Sequence, residues 1–245
     1  MASSKPLVFC DIASGPPVRS YAPNPWKVRY ALNFKRVNFI TKWVDLADFA
    51  STRKSLGAGP VRFLPNGEPF YTLPVIQDPS TDEVVGDSFD IAVYLDKKYP
   101  DGPRLFRQST GLYAAFKTHF DTFVPIGGAL LTDGMPLDPE THEEVQAEMC
   151  RRYGAKSTED LTVHGESRRK VLSGLEVTMR DAAKYWRFSE DPFFGGNEAD
   201  YADIIMGGRL MFLSMTVPEW EEIRTWHGGV WGKLHEALEP YRGIW

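Results

Sequence analysis

Residues 70–99 read FYTLPVIQDPSTDEVVGDSFDIAVYLDKKY, and their order of signals is strand, turn, strand, helix. Thr72 to Gln77 is a short apolar run with β-branched Val75 and Ile76. Asp78-Pro79-Ser80-Thr81-Asp82 is turn chemistry, and Glu83 to Val85 completes a hairpin. Asp87-Ser88 stands where a helix should begin, with Ile91, Ala92, Tyr94 and Leu95 recurring at helical spacing. Pro74 lies at the entry to a strand, the position proline tolerates because it cannot donate to a ladder. A cis bond at Leu73-Pro74 would turn the Leu73 backbone outward and leave it free to pair. The helix opened by Asp87 and Ser88 starts with amides that lack internal partners, and its dipole favours an anion. Free backbone groups beside an anion site suit a small peptide that carries carboxylates.

Working outward, the pattern changes near Pro100-Asp101-Gly102-Pro103. Strand and helix signals alternate before it, and almost everything after it is helical. The expected architecture is an α/β domain, a linker and an all-α domain. Hydrophobic residues at 42% and charged residues at 25% fit a chain with a real core. A net charge of −5 supplies no basic field for nucleic acid. No apolar run approaches the ~18 residues of a spanning helix, and the opening MASSKP lacks the apolar stretch of a signal peptide. A cytoplasmic protein without membrane or nucleic-acid partners is therefore expected. Cys10 and Cys150 are far apart, which argues against a disulfide framework and a zinc site. Cys10 sits within the strand candidate Leu7 to Ile12 and reads as a buried thiol, not a nucleophile. Fifteen Phe, ten Tyr and seven Trp are compatible with an aromatic ligand pocket.

Leu73-Pro74-Val75 followed by Asp87-Ser88-Phe89-Asp90-Ile91-Ala92-Val93-Tyr94-Leu95 resembles the second half of the thioredoxin-like domain of cytosolic glutathione transferases. The resemblance implies a cis Pro74, a Leu73 backbone that pairs with the cysteinyl unit of glutathione, and an Asp87-Ser88 pair that holds its γ-glutamyl end. It implies residues 1–100 as the thioredoxin-like glutathione-binding domain and 104–245 as the helical domain that forms a hydrophobic substrate site. Asn24-Pro25-Trp26-Lys27-Val28-Arg29-Tyr30-Ala31-Leu32 is similar to the first helix of serine-type transferases. It is more similar still to the fungal-specific class A and glutathione-dependent β-etherase relatives. Those enzymes activate glutathione by hydrogen bonding to its sulfur, and serine-type members place a hydroxyl just before this helix. Here that position falls on Ala22, which has neither hydroxyl nor thiol. A cysteine-type mechanism is disfavoured, and the sulfur partner is expected among Ser20, Tyr21 and Asn24, with Ser20 first and Asn24 second. The plain alternatives make Ser20 a loop serine, Asn24 a helix cap and Tyr21 a packing residue.

Elsewhere, Phe39 to Leu46 alternates as a strand, and Ala47 to Leu56 reads as a helix ending at Gly57. Arg53 and Lys54 on it could meet the glycine carboxylate of glutathione, although a solvated helix face explains them better. Gly57 to Pro69 reads as loop. Thr110 to Leu131 reads as one long helix that Pro125 and Gly127-Gly128 would kink or split. Its stripe of Phe116, Phe120, Phe123 and Val124 is expected either to wall the substrate site, as the resemblance implies, or to be interhelical core. Met135 to Thr162 reads as a charged surface insertion, and Glu166 to Trp186 as an amphipathic helix. Asp200 and Asp203 frame a capped helix start, so Asp203 is assigned to folding. The tail from Glu219 is expected to break at Gly228-Gly229.

The expected activity is a glutathione transferase with glutathione as co-substrate, attacking aromatic electrophiles in detoxification, with aryl-ether cleavage or peroxide reduction as variants. The alternative is a ligandin-type protein that stores aromatic molecules. The resemblance also implies a homodimer.

Overall fold

The computed structural model of the chain describes residues 5–64, 66–122, 124–186 and 190–243. Leu7–Ile12 (β1) pairs in parallel with Phe39–Val44 (β2), and the crossover between them is Pro23–Phe34 (α1). A 3-10 turn at Leu46–Asp48 and the helix Phe49–Ser55 (α2) follow. Arg62–Phe63 (β3) and Pro69–Phe70 (β4) form a separate two-stranded ribbon inside what the sequence reads as loop. Val75–Asp78 (β5) runs antiparallel to β1, and Glu83–Gly86 (β6) antiparallel to β5, giving the order β2-β1-β5-β6. β1 is the apolar central strand, with Leu7, Phe9, Cys10 and Ile12 all buried. Ser88–Lys98 (α3) closes this layer against α1. The mixed sheet is thioredoxin-like.

The helical part comprises Thr110–Asp121 (α4), Val124–Leu131 (α5), His142–Tyr153 (α6), Gly165–Ala183 (α7), Tyr201–Thr216 (α8), Trp220–Ile223 (α9) and Trp226–Ala237 (α10). The long helix expected from Thr110 is two helices. Pro125 falls in the first turn of α5, where its missing N–H does least harm; Phe123 lies outside the described residues. α10 contains His227, Gly228 and Gly229 at positive φ, the break expected in the tail.

α8 is apolar on nearly every side and buried along most of its length, as a central helix must be. Its start is capped on both sides. Asp200 accepts from the Ala202 amide, and Asp203 accepts from the Asp200 amide. Asp203 also accepts from Trp186 Nε1 at 2.9 Å and from the Phe194 amide at 2.7 Å. Burial pushes its carboxyl up to about 7.

The segment 135–162 lies mostly at the surface, as read, and it also ties to the sheet layer. Pro136 accepts from the Gly15 amide at 2.7 Å. From α6, Arg152 donates to the Tyr71 carbonyl at 2.9 Å and lies over the Phe49 and Phe70 rings. Glu148 holds Arg152 at 2.8 Å in the i,i+4 pair that the sequence suggests. The charges of α6 that read as solvent-facing thus brace the helical part against the loops of the sheet layer.

Candidate functional site

The hairpin register builds one wall. Val75 pairs with Gly86, so the residues just before β5 and just after β6 become neighbours. The Leu73-Pro74 bond is cis, and the Asp87 amide donates to the Pro74 carbonyl at 3.4 Å. Among the described residues the Leu73 amide donates to nothing. The Leu73 side chain is buried in a small apolar cluster with Cys10, Ile12, Tyr21, Ala22 and Phe49. That packing anchors the bend while leaving its main chain available.

Asp87 sits at φ 84°, ψ 134°, a conformation a non-glycine residue adopts only when held there. Its carboxylate accepts from the Phe89 amide at 2.8 Å and so caps α3. The Ser88 amide, first in the helix, has no intrahelical acceptor. The Ser88 carbonyl accepts from the Tyr201 hydroxyl at 2.8 Å, which ties α8 to this corner. Arg53 braces the same wall from behind. It donates to the Thr72 carbonyl and to the Gly59 carbonyl, both at 2.9 Å. A Cβ on Gly86 would come within 2.6 Å of its guanidinium. Arg53 is therefore a buried strut, neither a solvated charge nor a surface residue waiting for a ligand; exposed Lys54 lies over the Tyr71 ring.

The start of α1 builds the second wall. The helix begins at Pro23, three residues earlier than its apolar spacing suggests, because a first turn tolerates proline. Pro23 and Pro25 have no N–H, and the Trp26 amide is taken by the Ala22 carbonyl at 3.1 Å. Of the usual orphan donors at this helix start, the amides of Ala22 and Asn24 are left. Ala22 is the N-cap and makes no side-chain cap. Asn24 is therefore not the cap; it is exposed, and its Oδ1 accepts from Lys27 Nζ at 2.9 Å.

Ser20, the first candidate for the sulfur partner, is 0% exposed. Its carbonyl accepts from Trp26 Nε1 at 3.1 Å. Its hydroxyl lies against the buried Asp11 carboxylate without reaching hydrogen-bond geometry. A fully covered Oγ cannot touch a ligand unless the loop moves. The expectation for Ser20 is corrected on that ground: the loop folds inward to cover the Asp11–Arg29 ion pair of 2.7 Å. Tyr21 is buried too, its ring 6.3 Å from that of Phe212. Burial, then Asp11 and Asp45, raise its phenol, so it stays protonated. Cys10 is a buried thiol whose ionisation is pushed up by burial.

Beside the start of α1, among α5, α7 and α8, lies an apolar cleft. It is lined by Pro23 of α1, Leu131 of α5, Leu175 and Met179 of α7, and Met206, Arg209 and Phe212 of α8. Phe116 and Phe120 do not line it. They pack at 4.3 Å on each other and against Tyr185 and Trp186, so the stripe on α4 is interhelical core. The sequence reading missed the cleft residues because an all-round apolar α8 signals burial and does not say what it is buried against. Its one available clue was Arg209 inside an otherwise apolar helix.

The chain matches the family model described as the glutathione S-transferase N-terminal domain over residues 21–98, and that of the C-terminal domain over residues 112–241. The chain belongs to the cytosolic glutathione transferase superfamily. Among relatives of this transferase family, it is 28% identical to the glutathione S-transferase-like protein ustS of Aspergillus flavus, covering 95% of this chain and 89% of that one. Among solved structures it is similar to CsGST63524 of Ceriporiopsis subvermispora in complex with glutathione. That match has 32% identity and a TM-score of 0.89 over 98% of this chain and 99% of the other. It is also similar to GSTFuA3 of Phanerochaete chrysosporium, with 30% identity and a TM-score of 0.87 over 99% of each chain. No helix among the described residues is long and apolar enough to cross a membrane.

Proposed function

We propose that this transferase takes glutathione as co-substrate and joins its sulfur to an apolar, aromatic electrophile held in the cleft. The observation that carries the reading is convergence. An unpaired main-chain amide at cis-bonded Leu73, a helix start at Asp87-Ser88 and the start of α1 meet beside an apolar cleft. These donors fit a tripeptide with a carboxylate at its end. The Leu73 amide and carbonyl would pair along its cysteinyl unit. The Ser88 amide and hydroxyl would hold the γ-glutamyl carboxylate, while Asp87 faces its ammonium.

Glutathione supplies the thiol nucleophile. The chain's own contribution is to favour the ionised sulfur. The α1 dipole and the Asn24 side chain stand where negative charge develops. Pro23, Met206 and Phe212 exclude water from the neighbouring electrophile. As the carbon–sulfur bond forms, the leaving group departs with the bonding pair, and the thiol proton has already gone to solvent. Aryl-ether cleavage fits this scheme with a phenolate as leaving group.

A storage role for aromatic molecules has one specific observation behind it: Ala22 lacks the hydroxyl that serine-type members carry. One experiment separates the two. Glutathione affinity is measured by calorimetry, and conjugate formation is followed with a panel of aromatic halides and aryl ethers. Conjugates that form in proportion to enzyme support transfer. Aromatic binding with no conjugate would support storage, and no affinity for glutathione would remove both roles for the Leu73 and Asp87 walls.

A further inference from the structure

Lys27 is 1% exposed, packed under Gly208 of α8, where a Cβ would come within 2.8 Å of its Cγ. Among the described residues the one acceptor its ammonium meets is Asn24 Oδ1. The carboxylate that could neutralise it is already engaged. Asp121 of α4 gives one oxygen to Arg209 of α8 at 2.6 Å and the other to Lys117 at 2.8 Å. The remaining charge facing Lys27 is Asp87 at the start of α3. Burial first, then the Arg209 charge, bring the ammonium down to about 7. A methionine, one atom shorter, would fill most of this space without desolvating a charge. Packing alone therefore does not account for a lysine here.

The position of its partner does. Asn24 is exposed in the first turn of α1, the turn that Pro23 and Pro25 have stripped of amide donors. An ammonium that holds the carboxamide oxygen fixes which end of that side chain faces out: the NH2 end. We propose that Lys27 is a positioning residue for the sulfur site. Its ammonium orients the Asn24 carboxamide so that the NH2 group, backed by that buried positive charge, donates to the thiolate in place of the hydroxyl absent at Ala22. The inference rests on the glutathione reading above and goes beyond it in naming what orients the Asn24 carboxamide.

The test is the ionisation of bound glutathione, followed by thiolate ultraviolet absorbance across a pH series. Wild type, Lys27→Met, Asn24→Ala and the double variant are compared, with glutathione affinity measured for each. Lys27→Met is expected to leave about tenfold less thiolate at neutral pH, the order of one lost charge-assisted hydrogen bond. Conjugation should fall by the same factor near neutrality and recover at high pH, where the thiol ionises unaided. Asn24→Ala should give the same shift, and the double variant should be no worse than the poorer single one. Glutathione affinity measured at a pH low enough to keep the bound thiol protonated should stay within about twofold in all of them, because the Leu73 and Asp87 walls keep their own contacts; above the thiol's ionisation it should fall with the lost thiolate. Wild-type thiolate levels in Lys27→Met, or in Asn24→Ala should the former not fold, would overturn the proposal. If wild type itself binds no glutathione, the broader reading fails first, and affinity reports that separately.

Discussion

Gly208→Ala probes the contact on which the site depends, the close approach of α8 to the start of α1. An added Cβ would lie 2.6 Å from the Pro23 carbonyl oxygen, 2.8 Å from Lys27 Cγ and 3.2 Å from the Lys27 amide nitrogen. Two of these atoms are backbone and cannot swing away, so the helices must part by several tenths of an ångström. Overpacking of this kind costs about 1–3 kcal/mol. Alanine gains back roughly 0.5–1 kcal/mol from its helix propensity over glycine. The net loss is up to about 2.5 kcal/mol, centred near about 1 kcal/mol, which in a chain of this length lowers Tm by about 2–4 °C at the centre of that range. Because the displaced atoms belong to Pro23 and Lys27, conjugation with glutathione should fall as well, mostly in kcat. Gly128→Ala in α5 is the internal reference: nothing lies within 4 Å of its added Cβ, so the same substitution should be neutral or stabilising there. Thermal unfolding and steady-state rates on the two variants decide the matter. A Gly208→Ala protein as stable and as active as Gly128→Ala would refute the reasoning about α1–α8 contact.

Ser20→Ala should leave the conjugation rate near the neutral-pH wild-type value, because the hydroxyl is covered and unbonded; a rate loss of tenfold would return Ser20 to the site. Asp203→Ala orphans three N–H donors, from Trp186, Phe194 and Asp200, and should cost about 3–5 kcal/mol of stability. Chemical denaturation reads that loss, and an intact glutathione affinity in the folded fraction would place Asp203 outside the site. The Lys27 ammonium titrates at about 7 when folded and near the ordinary lysine value of 10.5 when unfolded. Between those values the unfolded chain holds more protons, so stability rises with pH through that window. Wild type should gain about 2 kcal/mol relative to Lys27→Met between about pH 7 and 9; parallel pH profiles of the two proteins would contradict the buried charge.

The hairpin edge proposed to bind glutathione was legible in the sequence because it is local. Leu73-Pro74 and Asp87-Ser88 flank a hairpin whose turn residues and alternation set its register, and register alone makes the two ends neighbours. The Asp200–Asp203 cap is equally local, four residues that satisfy each other's amides. The sequence reading failed where a residue's role depends on what another element covers. Ser20, Asn24 and Lys27 lie within eight positions of one loop and helix start, and nothing in that stretch tells which hydroxyl turns inward. Packing against β1 buries Ser20 on Asp11, and packing against α8 buries Lys27 and sends its charge back to Asn24. The Phe116–Phe120 stripe has a helical period that fits core and pocket alike; Tyr185 and Trp186, brought in from the turn after α7, pack on it as core. Local hydrogen bonding and alternation are written in neighbouring residues, so the sequence alone determined the fold and the hairpin edge at Leu73 and Asp87. Burial is a property of surfaces that meet from distant parts of the chain, so the covering of Ser20, the exposure of Asn24 and the lining of the cleft were decided by tertiary structure.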